Sequence, residues 1–416
     1  TPGDGSTPSS IPVTATVNGA VQSILLSQTG FTFQGVASGG QAASQVLNIA
    51  NKGQGSYNYT LKTLYAGSAS GWLKLSASSG VSDASTPSVV TLTVDSSGLV
   101  AGDYHAKVQV VAPTTDTGVQ EAVVVLHLTS AAPAPQIQPA ALLFRSSVDA
   151  GTVASQTVSI TNLSSADLTF TSSSATSDGG TYLNYQPTSD TISPGSLTLT
   201  VQPDVSSLAA GIYTGAITLS FSDGSTGSIG VTIVVAPSGT TVSKAGREAS
   251  GCTASQLAVA LTSLGSNFSV PASYPTLVSA AVADNCGALL TDGTVRASFS
   301  NGDVPLSLVS QGDGNWYATW TSRNSASKVV ISVGAQNSTS TLSGSADTTG
   351  DLNGTATIPS VYSGGIVSAS SLASQAPLAP GAMISLFGTN LATGTSAATS
   401  LPLSSLLAGA SVTISG

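Results

Sequence analysis

The sequence predicts an all-β chain of tandem antiparallel sandwiches. Three observations carry this: apolar residues alternate with period two, one domain is duplicated, and the surface is almost free of charge. Short β-branched runs separated by Gly, Ser and Asp turns are the pattern of a sandwich. No segment shows a sustained apolar stripe at helical spacing with caps. At about 100–200 residues per domain, 416 residues make about two to four domains. Charged residues are 7% of the chain, against about 25% in an ordinary soluble domain. With 41% hydrophobic residues it is not a disordered chain; hydroxyls and amides wet the surface in place of ions.

The duplication sets the element order. SQVLNIAN (Ser44 to Asn51) returns as SQTVSITN (Ser155 to Asn162), and TVDSSGLVAGDY (Thr93 to Tyr104) returns as TVQPDVSSLAAGIY (Thr200 to Tyr213). Phe33 matches Phe144, and Trp72-Leu73 matches Tyr182-Leu183. Within the first copy Val46, Asn48 and Ala50 alternate with Leu47 and Ile49, while Val90, Leu92 and Val94 alternate with Thr91 and Thr93. VVVLHL (Val123 to Leu128) and GVTIVV (Gly230 to Val235) close the copies. The first unit is placed at residues 24–132 and the second at 133–237, joined by AAPAPQ (Ala131 to Gln136).

These two copies resemble bacterial Ig-like domains of the BACON type. The residues that carry the likeness are the S-Q-x-V/L-x-I-x-N strand, Trp72-Leu73, and the corner Gly98-Leu99-Val100-Ala101-Gly102-Asp103-Tyr104 with its counterpart Leu208 to Tyr213. The resemblance implies Ig-like sandwiches with a Tyr anchoring each corner, and specifies a fold, not an activity. The second copy departs from the pattern with Tyr182 in place of Trp.

A joint at 238–250 leads to a third unit at 251–345. Its PTLVSAAVADNCGALLTDGTVRASFSNGD and DGNWYATWTSR resemble an invasin-like bacterial Ig-like domain. Asp292-Gly293 reads as a hairpin turn. A linker is expected at 346–362, and GGIVSASSLASQAPLAPGAMISLFGTNLA opens a partial unit, 363–416, that resembles the start of an IPT/TIG-like domain. Residues 1–23 form an N-terminal extension in which Ile11, Val13, Ala15 and Val17 alternate as a strand would. They are a candidate donor strand for completing the partial unit of a neighbouring copy, which would propagate head to tail.

Chemistry is sparse. The chain has two histidines and two cysteines, and lacks G-x-S-x-G, Walker A, G-x-G-x-x-G, H-E-x-x-H and C-x-x-C strings. No enzyme activity and no cofactor are expected. His105 and His127 have no counterparts in the second copy and read as strand-surface residues. Cys252 and Cys286, an even pair in an otherwise cysteine-free chain, read as one disulfide in an oxidising compartment; two buried thiols are the alternative. Asp347, Asp351 and Asn353 are a weak metal candidate in an oxygen-rich segment, without the spacing of a calcium loop. Trp316 and Trp320, four apart on a strand, share one face: either core or an aromatic platform for a sugar. Five N-x-S/T sequons, at Asn58, Asn162, Asn267, Asn337 and Asn353, are what so Ser/Thr-rich a chain produces by chance.

A net charge of −9 with no basic cluster excludes a nucleic-acid partner, and no apolar run is long enough to span a bilayer as a helix. The sequence opens at Thr1 without a charged-then-apolar leader, as expected of a mature exported chain, extracellular or at the cell surface. The expected function is a non-catalytic structural protein: a string of Ig-like sandwiches serving as a stalk or filament subunit that self-associates into fibres. The rivals are an adhesin or carbohydrate-binding protein that engages a glycan or a host or neighbouring cell, and the accessory region of a larger exported enzyme.

Overall fold

The computed structural model describes residues 21–353, except 38, 40, 67–68, 85, 149, 151–152, 244–245, 247 and 325, together with 360–371, 379, 381–389, 391–392, 397–398, 410 and 412. No helix occurs among the described residues. The candidate donor residues Ile11, Val13, Ala15 and Val17 lie outside them.

The first sandwich comprises β1 (Ile24–Leu26), β2 (Gly30–Val36), β3 (Gln45–Asn51), β4 (Ser56–Ala66), β5 (Leu73–Leu75), β6 (Ser79–Asp83), β7 (Ser88–Val94), β8 (Gly102–Val111) and β9 (Val119–Thr129). A four-stranded sheet β1-β3-β7-β5 packs on a five-stranded sheet β2-β9-β8-β4-β6. Period two explains the layering: Leu47, Ile49, Val90 and Leu92 point inward and are fully buried, while Val46 and Val89, one position before each pair, are exposed. Every strand pair is antiparallel except β2 with β9, which run parallel from Gly30 opposite Val123 to Val36 opposite Thr129.

The second sandwich repeats this order strand for strand. It contains β10 (Gln136–Gln138), β11 (Ala141–Ser147), β12 (Gln156–Asn162), β13 (Leu168–Thr176), β14 (Tyr185–Gln186), β15 (Ser189–Ile192), β16 (Gly195–Val201), β17 (Gly211–Phe221) and β18 (Thr226–Ala236). The sheets are β10-β12-β16-β14 and β11-β18-β17-β13-β15, with β11 parallel to β18. The outer face of β12 and β16 carries hydroxyls, Thr157 opposite Thr200 and Ser159 opposite Thr198. This is how a chain with so few charges keeps its strands wet.

After β19 (Thr241–Val242) and β20 (Ala249–Ser250), the third sandwich runs through β21 (Leu257–Leu261), β22 (Phe268–Pro271), β23 (Pro275–Asp284), β24 (Thr294–Phe299), β25 (Leu306–Ser307), β26 (Val309–Ser310), β27 (Asn315–Thr321), β28 (Val329–Gln336) and β29 (Ser343–Asn353). Its sheets, β21-β23-β27-β26 and β22-β29-β28-β24-β25, keep the four-plus-five plan and the parallel edge pair. The fifth and sixth strands exchange sheets relative to the repeats: here the fifth edges the five-stranded sheet and the sixth the four-stranded one.

Two expectations change here. Asp292-Gly293 is not a hairpin turn, because the strands on either side, β23 and β24, belong to different sheets. Gly293 has φ +114°, and an added Cβ would lie 2.3 Å from the Gln336 carbonyl oxygen, so the crossing requires glycine. Residues 346–353, assigned to a linker, instead form most of β29, zipped antiparallel along β28 as far as Gly350 and parallel to β22 from Gly350 to Asn353.

The three sandwiches are not a linear string. The third lays the outer face of its β21-β23-β27 sheet against the parallel-paired edges of both repeats: β23 packs on β2 and β9, and β21 on β11 and β18. Outward residues that would otherwise be wet are buried there, Val125 in the first repeat and Val234 and Ala236 in the second. Near the end of the chain β30 (Ser360–Ser368) and β31 (Ile384–Thr389) pair with each other across an irregular register, leaving Ile366 and Phe387 exposed.

Candidate functional site

The repeated motifs are consumed by structure. The Gln of each S-Q string reaches from one sheet to the edge strand of the other: Gln45 Nε2 donates to the Thr32 carbonyl at 2.8 Å and Gln156 Nε2 to the Leu143 carbonyl at 2.8 Å. The motif Asn closes the turn that follows. Asn51 accepts from the Gly53 N–H and donates to the Gly55 carbonyl; Asn162 accepts from the Ser164 N–H and donates to the Ala166 and Ile192 carbonyls. At the corners, Tyr104 donates its hydroxyl to the Val100 carbonyl at 3.0 Å and Tyr213 to the Ala209 carbonyl at 2.9 Å. Trp72 is buried edge-on to Tyr65, with ring centroids 5.7 Å apart. Where Tyr182 replaces it, the added hydroxyl donates to Asp178 Oδ1 at 3.0 Å, and burial pushes that phenol up to about 12, with Asp178 adding to the shift.

Trp316 and Trp320 do not form a ligand platform. Both are nearly inaccessible, at 4% and 2% exposure, and face the core between the sheets. Trp316 Nε1 donates to the Leu290 carbonyl, and Trp320 stacks on Phe299 with centroids 4.6 Å apart while its Nε1 donates to Asp303 Oδ2 at 2.8 Å. Asp303, itself buried, also accepts from the backbone N–H groups of Arg323 and Asn324 and from Asn301 Nδ2. The S-F-S-N-G-D and W-x-x-x-W strings are therefore two halves of one internal hydrogen-bonded post.

The metal candidate also dissolves. Asp347, Asp351 and Asn353 lie on the outward face of a paired strand, spread along β29 opposite Ser332, Ser269 and Pro271, rather than around a loop. Asn353 Nδ2 donates to the Ser269 hydroxyl. Among the described residues no cluster of three His, Cys, Asp or Glu side chains could hold a metal ion. The sulfurs of Cys252 and Cys286 are bonded, with Cα atoms 5.8 Å apart, tying the segment before β21 to the turn after β23.

Of the two histidines, His105 is half-buried on β8, and burial pushes its pKa down. His127 sits at the contact between first and third sandwiches. Its Nδ1 lies 2.7 Å from Asp103 Oδ1 and 3.4 Å from the Tyr274 hydroxyl, with its ring edge-on to Tyr274. An acid, an imidazole and a phenol together would be a catalytic constellation if the phenol were easily ionised. Here burial first, then the hydrogen bond and charge of Asp103, push the Tyr274 phenol up, which suits a polar clasp rather than a nucleophile.

Among the described residues a trough opens where the three sandwiches meet, a cleft of about 920 Å³. Its walls are the linker Pro133 to Gln138, the edge strands β2 and β11, and the outer face of β23 and β27 around Tyr317. Arg145 crosses from β11 to donate to the Gly287 carbonyl at 2.7 Å, and Thr319 Oγ1 accepts from the backbone N–H groups of Thr29 and Gly30. The sequence marked the linker and the Trp-rich strand separately but not their meeting, because they become neighbours only when the third sandwich docks. The one signal was unbroken apolar runs such as LAVAL (Leu257 to Leu261), a strand buried on both faces.

Residues 23–123 match the family model described as the viral BACON domain. No curated protein matches the chain. Among solved structures, the ASH/PapD-like domain of human CEP192 is similar at 14% identity over 30% of this chain and 99% of that one, with a TM-score of 0.23. The periplasmic chaperone SfaE is similar at 12% identity over 51% of this chain and 100% of that one, TM-score 0.22. Cadherin domains 1–4 of protocadherin gamma B7 are similar at 13% identity over 81% of this chain and 77% of that one, TM-score 0.18. The chain is a tandem array of Ig-like β-sandwiches. No helix among the described residues is long and apolar enough to cross a membrane.

Proposed function

We propose that this chain is a non-catalytic extracellular structural protein, a stiff Ig-like scaffold within a stalk or filament. The observation that carries the reading is the docking of the third sandwich onto both repeats, a junction that turns three modules into one thick unit. Its seam is made of buried side chains and of a backbone hydrogen bond from the Ala140 N–H to the Thr262 carbonyl at 2.8 Å. His127, the tryptophans and the motif amides described above all serve packing, turns or interdomain contacts, which supports a scaffold over a catalyst. The likeness of the third and last units to invasin-like and IPT/TIG-like domains, and the match of the first to a viral BACON model, fit use at an outer surface.

Self-assembly by strand complementation is the finer part of this reading. Among the described residues β30 and β31 pair with each other and expose Ile366 and Phe387, so an added strand from residues 11–17 of another copy would cover apolar surface. Native particles are expected to appear as rods or fibres by electron microscopy, and deletion of residues 1–20 should abolish end-to-end multimers. Single particles at every concentration, or unchanged multimers in the deletion variant, would sink the polymerisation proposal.

A further inference from the structure

The disulfide of the third sandwich sits where the second repeat docks. Cys286 is 1% exposed, yet it is not one of the residues packed between the two sheets. It lies in the turn after β23, and the next residue, Gly287, offers its carbonyl to Arg145 Nη1 of the second repeat at 2.7 Å. The other cysteine, Cys252, follows the β19–β20 hairpin by two positions. That hairpin reaches back to the same turn, where the Leu289 N–H donates to the Gly246 carbonyl.

Arg145 thus enters a slot between two glycines. Gly287 forms one wall and Gly246 the other, where an added Cβ would lie 2.5 Å from Arg145 Nη1 and 2.9 Å from Nη2. The slot takes water from the guanidinium, and burial lowers its pKa. A partly desolvated cation is tolerated only while its hydrogen-bonding partner stays in place. Each wall belongs to one cysteine segment. Gly287 adjoins Cys286, whereas the hairpin that presents Gly246 ends at Ser250 and runs without strand structure to β21. The far end of that stretch is held by Asn285, whose Oδ1 accepts from the Ser255 and Gln256 N–H groups. The near end, beside the hairpin, is fastened to the turn by the Cys252–Cys286 bond.

We propose that oxidation of Cys252 and Cys286 assembles the socket for Arg145, so that the second repeat docks firmly on the third sandwich only in the disulfide-bonded chain. Forming the bond takes a proton from each thiol and two electrons from the pair. The electrons pass to a disulfide donor outside the chain, which becomes two thiols. A reduced chain keeps its sandwiches folded but its junction loose, and oxidising surroundings stiffen it. The inference rests on the docked junction of the scaffold reading and adds what locks it.

Hydrogen exchange of the Ala140 amide in the full chain is the readout, because this N–H crosses the seam to the Thr262 carbonyl at 2.8 Å. It is expected to be protected in the parent. Cys252→Ala with Cys286→Ala, or Arg145→Met alone, should speed its exchange about tenfold or more, while the amides of β12 inside the second repeat keep their protection. Arg145→Met should add nothing further in the cysteine-free chain, since the socket is already lost. Gly246→Ala, with both cysteines in place, should match Arg145→Met. Three results would overturn the assignment: additive effects of Arg145→Met and cysteine removal, unchanged Ala140 exchange in any of these variants, or a cysteine-free third sandwich that loses its buried-tryptophan fluorescence. An unprotected Ala140 amide in the parent would remove the docked junction itself, and with it both this inference and the scaffold reading.

Discussion

Asp303 carries the third sandwich in a way its exposure pattern alone would not announce. Four donors converge on one buried carboxylate: the Trp320 indole, two backbone N–H groups and the Asn301 amide. Hydrogen bonds to a charged acceptor are worth about 1.5–3 kcal/mol each, and donors left unpaired in a core add their own desolvation cost. Asp303→Ala is therefore expected to destabilise this sandwich by about 3–5 kcal/mol, read as a fall in the urea midpoint by tryptophan fluorescence. Trp320→Phe keeps the stack on Phe299 and should cost distinctly less; equal losses would mean that packing, not the carboxylate, holds the site.

Tyr182 gives a pH-dependent counterpart in the second repeat. Its folded pKa is about 12, against about 10 in an unfolded chain. The folded state therefore keeps a proton that the unfolded state releases, and its stabilising contribution is complete below about pH 10 and lost as pH rises through about 12. The stability of Tyr182→Phe should fall less steeply than that of the parent over this window. Tyr57, Tyr274 and Tyr317, also pushed up by burial, act in both proteins and cancel in the comparison. Identical slopes would show that the Tyr182–Asp178 contact adds nothing.

At the scale of elements, legibility followed locality. The period-two strands could be read because inward positions such as Leu47 and Ile160 must be apolar whatever lies beyond the sheet. The S-Q-x-x-x-I-x-N string could be found as a repeat, although its meaning, a cross-sheet amide and a turn-closing amide, lies in contacts made only once the two sheets pack. The exchange of the fifth and sixth strands and the false hairpin at Asp292-Gly293 were hidden for one reason: which sheet a short strand joins is decided by partners distant in sequence. Trp316 and Trp320 were narrowed to one face by their spacing, yet only the third dimension separates a core face from a platform. The Cys252–Cys286 bond closes a 34-residue separation around the β21–β23 pair. Loop-closure entropy for such a loop is worth about 3–4 kcal/mol. Replacing both cysteines with alanine should lower the stability of the third sandwich by that amount in equilibrium denaturation and leave the repeats unchanged; a shift in the repeats as well would mean that the three units unfold as one.

For the whole molecule, the junction is the feature that sequence patterning hid, because alternation assigns outward positions to water. Val125 and Val234 sit at such positions and are buried only because another sandwich covers them. The close approach has a specific requirement at Gly30, where β2 meets β23. A Cβ there would lie 2.4 Å from Pro275 Cβ and 3.2 Å from Thr319 Cγ2, and Pro275, fixed in a paired strand, has little room to yield. The same glycine donates its N–H to Thr319 Oγ1, so a bulkier residue both intrudes and breaks the polar seam. Gly30→Val is compatible with β2 itself, since β-branched residues suit an extended strand, and its cost falls on the interface. The first and third sandwiches are therefore expected to separate while each keeps its own fold: the radius of gyration from small-angle scattering should rise, with the strand signal in circular dichroism preserved. Gly334→Val is the control, since nothing lies within 4 Å of its Cβ position. An unchanged scattering profile in Gly30→Val would show that the two sandwiches are not held by this seam, and would remove the basis for treating the three as a single stiff unit.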